Sequence, residues 1–179
     1  MFTELNQQVF SSSGVLFLWL LLLQGALLIY DEAVLHRQRE MPNWERWGHP
    51  VDTFFFLLPL ALGGFLQGDF SQHHFIGLCI LSCLVILKDE WVHAGRIKGF
   101  EGLVHGLLFI LHPIVLFMAY RNLLDKNYLV LQTTSMVLTV VMVFQFLFWN
   151  WWEPKTKKDL ALEHKNQPQK NISSAKGSL

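Results

Sequence analysis

Lys88-Asp89-Glu90-Trp91-Val92-His93, a short connection through Gly95 and Gly99, and then Glu101-Gly102-Leu103-Val104-His105 form the stretch whose reading decides the fold. An apolar run from Phe75 to Leu87 leads into it, and another from Leu103 to Tyr120 leads out. Both runs are apolar on every side rather than striped, the pattern of a helix in lipid and not of one on a soluble core. Acids and histidines therefore stand at the end of one membrane helix and the start of the next, where ionisable groups are costly and by default functional. Asp89–His93 and Glu101–His105 are i,i+4 pairs, so on helices each shares a face.

The composition around this stretch agrees. With 52% hydrophobic and 14% aromatic residues among 179, the chain is too apolar for a soluble domain of its size. Its formal net charge of zero gives no global field toward nucleic acid, and no such partner is expected. Cys79 and Cys83 lie i,i+4 in an apolar run, where helix geometry does not suit a disulfide and a thiol packs as a small hydrophobe. Met1 to Ser13 carries no Lys or Arg, so the first apolar run does not read as a cleaved secretory signal.

The expected fold is all-α, an integral membrane bundle of five transmembrane helices. They run from about Gly14 to Tyr30 (continuing in helical pattern through Asp31 and Glu32 to His36), Pro50 to Gln67, His74 to Ala94, Phe100 to Tyr120, and Tyr128 to Trp152. Pro50 suits a first helical turn. Residues 1–152 are read as one transmembrane domain, and residues 153–179, rich in Lys, Asn, Gln and Ser, as a disordered cytoplasmic tail. Lys and Arg are absent before the first helix and from residues 68–73, but present at 37–49, 95–99 and in the tail. That distribution puts the N-terminus outside and the C-terminus in the cytoplasm; Arg121 and Lys126 in the 121–127 loop run against it.

Acid-x-x-x-His recurs as Glu32–His36, Glu45–His49, Asp69–His73, Asp89–His93 and Glu101–His105. Random placement of these residue types predicts fewer than about one such pair. In the five-helix topology, four helix ends deliver such groups to one membrane level, with Asp52 one turn into the second helix. His112 lies on the face of Glu101 and His105, roughly 10 Å deeper at 1.5 Å per residue. Histidine with carboxylate suits zinc, iron, copper or manganese, and the donors outnumber the needs of one tetrahedral ion. The expected ligands are Glu32, His36, His49, Asp52, Asp89, His93, Glu101, His105 and His112, with Glu90 as ligand or proton relay. They would hold two transition-metal ions, iron first and zinc as the alternative. The bland counterpart is a polar network that ties helix ends together without metal. Trp44, Trp47 and Trp91 read as interfacial anchors, and His73 and His74 as interfacial groups on the outer side.

Two resemblances bear on this set. The acid–histidine repeats are loosely similar to membrane-associated di-iron carboxylate enzymes, and Glu90–His93 has their Glu-x-x-His spacing. Glu101–His105 is one residue longer, and the His-x-x-His-His clusters of membrane desaturases are absent. The blocks Trp44-Glu45-Arg46-Trp47-Gly48-His49-Pro50-Val51-Asp52-Thr53, Lys88 to His93 and Leu111-His112-Pro113 resemble those of a group of small bacterial multi-pass membrane proteins. That second resemblance implies a bacterial inner membrane and no particular activity. The function expected from the residues is a di-iron oxidoreductase of the oxygenase, hydroxylase or desaturase type, acting on a lipid-soluble substrate from the bilayer. A zinc-dependent membrane hydrolase, a metal-handling or transport protein, and a haem protein with two axial histidines are the alternatives. The oligomeric state is left open.

Overall fold

The computed structural model describes residues 12–35, 43–93 and 99–153, with the backbone alone at 43–45 and 89–93. Helix α1 (Ser12–Tyr30) runs into a π turn (Asp31–Leu35). Helix α2 (Asn43–Leu66) ends in a single 3-10 turn (Gln67–Asp69). Helix α3 (Gln72–His93) and helix α4 (Phe100–Leu124) follow. Helix α5 (Tyr128–Leu147) closes in a second π turn (Phe148–Trp152). Among the described residues there is no strand.

Helix α2 packs chiefly on α5 and α1 on α4, while α3 touches both pairs through α2 and α4. Where α2 meets α5 the backbones come close because Gly64 has no side chain. A Cβ there would lie 3.0 Å from the Gln132 backbone nitrogen and 3.2 Å from Leu131 Cβ. The Gln132 amide donates to the Gly64 carbonyl at 3.0 Å across the same gap. Small residues that let backbones approach are a main source of helix association in lipid. Gly64→Ala should therefore lower stability by about 1–3 kcal/mol, as overpacking does. Gly68→Ala, which points into open space, should not. Thermal unfolding of both variants in detergent checks this, and equal midpoints would contradict the close approach.

A ten-residue apolar cluster drawn from all five helices, Phe17, Phe56, Leu60, Phe75, Val115, Leu116, Ala119, Leu123, Val130 and Leu131, fills the middle of the bundle. The outward surface is as apolar as the inside: Trp19, Leu22, Ile29, Ile110, Phe117 and Val140 are each more than half exposed. Water would not tolerate a surface of that extent on a monomer, whereas lipid would. Four helical stretches, Ser12–Leu35, Arg46–Asp69, Phe100–Leu124 and Tyr128–Trp152, are long and apolar enough to cross a membrane. In the fifth, α3, the apolar stretch among the described residues runs from Gln72 to Lys88, about 25 Å at 1.5 Å per residue, beside a hydrocarbon core of about 30 Å.

The two ends of the bundle are polar and differ in kind. At one end Asn122 and Asn127 tie the α4–α5 turn to the start of α1. Asn122 Nδ2 donates to the Ser13 and Met118 carbonyls, Asn127 Nδ2 donates to Asn122 Oδ1, and Ser13 Oγ donates to Asp125. The opposite end holds Asp31, Glu32, His49, Asp52, Glu101 and His105.

Several boundaries differ from the sequence reading. Helix α2 starts at Asn43 and passes through Pro50, so Pro50 sits in the second turn. The backbone there gives up one hydrogen bond, a cost that packing on α5 offsets. The expected continuation of α1 toward His36 is a π turn, with a wider register than an α-helix. Glu153, assigned to the tail, is buried with its carboxylate 4.0 Å from Arg46. His36 and residues 154–179 lie outside the described residues.

Candidate metal centre

Asp31, Glu101 and His105 come together at the acidic end. One carboxylate oxygen from each acid and a ring nitrogen of His105 all lie within 4.8 Å of one another. The π turn after α1 carries Asp31, and the first turns of α4 carry Glu101 and His105 on one face. Gly99, with φ of 65°, occupies the left-handed backbone region just before α4, where glycine carries no steric penalty. Asp31 is 1% exposed. A carboxylate so buried requires a compensating charge, and His105 Nε2 stands 3.3 Å from its Oδ1. That distance is slightly long for an N–H···O hydrogen bond. It fits two ligands of one tetrahedral ion, which at about 2.0–2.1 Å from the metal sit about 3.3–3.4 Å apart.

A second group of acid and imidazole lies beside the first and is held mainly by α5. Glu32 accepts hydrogen bonds from the Gln145 side-chain amide and from Trp149 Nε1, the latter at 3.3 Å. Gln145 Oε1 in turn accepts from Thr53 Oγ1 at 2.7 Å. His49 Nδ1 is 3.8 Å from Glu32 Oε1, and its ring stacks against Trp149. Gln145 and Trp149 are almost fully buried, so Glu32 is fixed in position by donors that hold its charge.

A cavity of about 110 Å³ lies between these groups and the apolar middle. Asp31, His49, Asp52 and His105 are among its polar lining, with Gln24, Thr53 and Gln145, and Leu28, Ile86, Leu108 and Phe109 are its apolar lining. His112 closes its inner end. Its Nε2 is 2.9 Å from Ser82 Oγ on α3, and its Nδ1 is 3.4 Å from Gln24 Nε2 on α1. The Phe56 ring lies 4.9 Å away, centroid to centroid. Because an amide nitrogen donates, Nδ1 accepts, and Nε2 then carries the ring proton toward Ser82.

Of the ligands expected from the sequence, Glu101 and His105 join the compact triad. Glu32, His49 and Asp52 lie at or beside the same cavity but outside that triad, and His112 has both ring nitrogens in hydrogen-bond contact with the core. The backbone puts Asp89, Glu90 and His93 at the end of α3, where side chains are not described. Asp31 was not among the ligands expected from the sequence, and Gln145 and Trp149 were not expected as supports. Comparison with family models, curated proteins and solved structures finds no match for the chain.

Proposed function

We propose that this protein is a membrane-embedded metalloenzyme whose ion is held by Asp31, Glu101 and His105, and that it oxidises a lipid-soluble substrate. The observation that carries this is that two members of the triad, Asp31 and His105, line a cavity whose other walls include Leu28, Ile86, Leu108 and Phe109. Two carboxylates and one imidazole form an oxygen-rich donor set, better suited to iron or manganese than to a soft ion. A bound iron would supply oxygen-dependent redox chemistry. The chain itself supplies burial, a fixed carboxylate at Glu32 and an imidazole at His49 facing the same space. A second ion, as the full count of acids and histidines suggests, would draw on His36, Asp89 and His93, with Glu90 as ligand or proton relay.

One observation favours a second reaction. Three protein ligands leave a position for water, the arrangement of catalytic zinc sites, and Asp52 lines the same cavity as a general base for hydrolysis. Transport is disfavoured. Among the described residues, the interior along the roughly 15 Å from His112 to Asn122 is dominated by the apolar cluster, although Thr134 and Ser135 of α5 are buried as well. Elemental analysis and visible spectroscopy of chelator-free, tag-free protein test the proposal. Stoichiometric iron with absorption in the visible supports oxidation, and colourless protein with zinc supports hydrolysis. No transition metal would leave a polar network of helix ends.

The Lys and Arg distribution and the resemblance to small bacterial membrane proteins support five spans in a bacterial inner membrane, N-terminus outside and C-terminus cytoplasmic. Cysteines introduced at Ser12 and Ser173 should react from opposite sides of sealed vesicles. Labelling of both from one side would overturn this topology.

A further inference from the structure

The apolar lining of the cavity has a property that its polar lining does not explain. Phe109 lines the cavity and is still 38% exposed on the outside of α4, beside Ile110 at 58% and Leu107 at 41%. One side chain therefore separates the cavity from the surface that faces lipid. The cavity as a whole is small, about 110 Å³, which favours a head of one or two polar atoms over a phospholipid headgroup. It is also lined by Asp31 and Asp52, so an anionic head would meet two carboxylates. Asp31, His49 and His105 nevertheless offer hydrogen bonds, so a head without polar atoms would desolvate them at a cost.

We propose that the cavity binds a single-chain lipid with a small neutral oxygen head, a long-chain alcohol or aldehyde. The head sits between His105 and His112, and the chain leaves past Phe109 into the bilayer. This deepens the metalloenzyme reading by naming its substrate class, but binding at this position does not itself require the ion. Leu28 and Leu108 then pack against the first carbons of the chain, and Ile86 faces them from α3.

The test uses the full-length protein in detergent or nanodiscs and a hexadecanol bearing a photoactivatable diazirine next to its hydroxyl carbon. After irradiation, mass spectrometry should place the label on α4 around Leu108 to His112 or on α1 around Leu28. Excess unlabelled hexadecanol should abolish it, while hexadecanoate and diacyl phosphatidylcholine should not. Leu28→Trp, which fills the cavity, should cut competable labelling at least tenfold, and Val140→Trp on the outer face of α5 should leave it unchanged. Label spread over exposed positions such as Trp19 and Val140, or competition by hexadecanoate equal to that by hexadecanol, would overturn the proposal. The wild-type map and competition decide the matter even where Leu28→Trp fails to fold. Repeating them on metal-stripped protein separates the two readings. Competable labelling without metal supports the lipid site alone, whereas absence of metal from labelled native protein overturns only the metalloenzyme.

Discussion

His105→Ala should lower metal affinity by more than about a hundredfold, because loss of an outer-shell partner alone costs about 10–100-fold and His105 is assigned as a direct ligand. Asp31→Asn should do the same, and for a reason the sequence does not suggest. Its carboxylate is the most buried member of the triad, 1% exposed, and it faces His105 at 3.3 Å. An amide of the same shape keeps the packing but removes the charge that an ion needs. Glu32→Gln serves as the contrast. Glu32 is engaged by Gln145 and Trp149 from α5, so the triad should retain its ion when Glu32 is changed. Equilibrium dialysis against iron and zinc, followed by elemental analysis, checks all three variants. If Asp31→Asn binds like the wild type while Glu32→Gln does not, the ion belongs to the Glu32–His49 group and the triad is an ion pair.

Asp31 is instructive about what a sequence can carry. The acid-x-x-x-His template finds Glu101–His105, and the structure puts those two in one triad because α4 is regular across them. The same template, which assumes α-helical register beyond Tyr30, selects Glu32–His36 and passes over Asp31, whose i+4 neighbour is Leu35. The π turn at Asp31–Leu35 breaks that assumption. Two consecutive acids then both find partners, Asp31 at His105 on α4 and Glu32 at Gln145 and Trp149 on α5. A π turn is a tertiary compromise without a local residue signature, and such turns concentrate at functional sites. Gln145 and Trp149 were illegible for a different reason. The Phe148-Trp149-Asn150-Trp151-Trp152 run reads as an aromatic belt, which fits Trp151 and Trp152 on the outside, at 72% and 70% exposed. Only the pairing of α2 with α5, a long-range choice, turns Trp149 inward. The apolar helices themselves were legible, since length and composition suffice to place them. Of the five, α3 carries the shortest apolar stretch among the described residues, Gln72 to Lys88.

His112→Ala should cost stability and leave the metal in place. The ring is 2% exposed, contacts Ser82 and Gln24 through its two nitrogens and packs against Phe56. Truncation removes an aromatic side chain from the core and leaves a hydroxyl and an amide facing it. Buried interhelical hydrogen bonds in lipid are worth about 0.6–2 kcal/mol each, and the lost volume adds to that, so a loss of about 2–5 kcal/mol is expected. The comparison with the paired variant Ser82→Ala/His112→Phe sharpens the point. Removing both ends of a buried bond while keeping the ring volume can be nearly neutral, so the double variant should recover much of what His112→Ala loses. Thermal unfolding in detergent gives the stabilities, and elemental analysis of the same samples gives the metal. A double variant that is stable but depleted of metal would place His112 in the coordination shell. In that event the centre would reach about 10 Å deeper along α4 than His105, toward the side of the cavity that Phe109 closes.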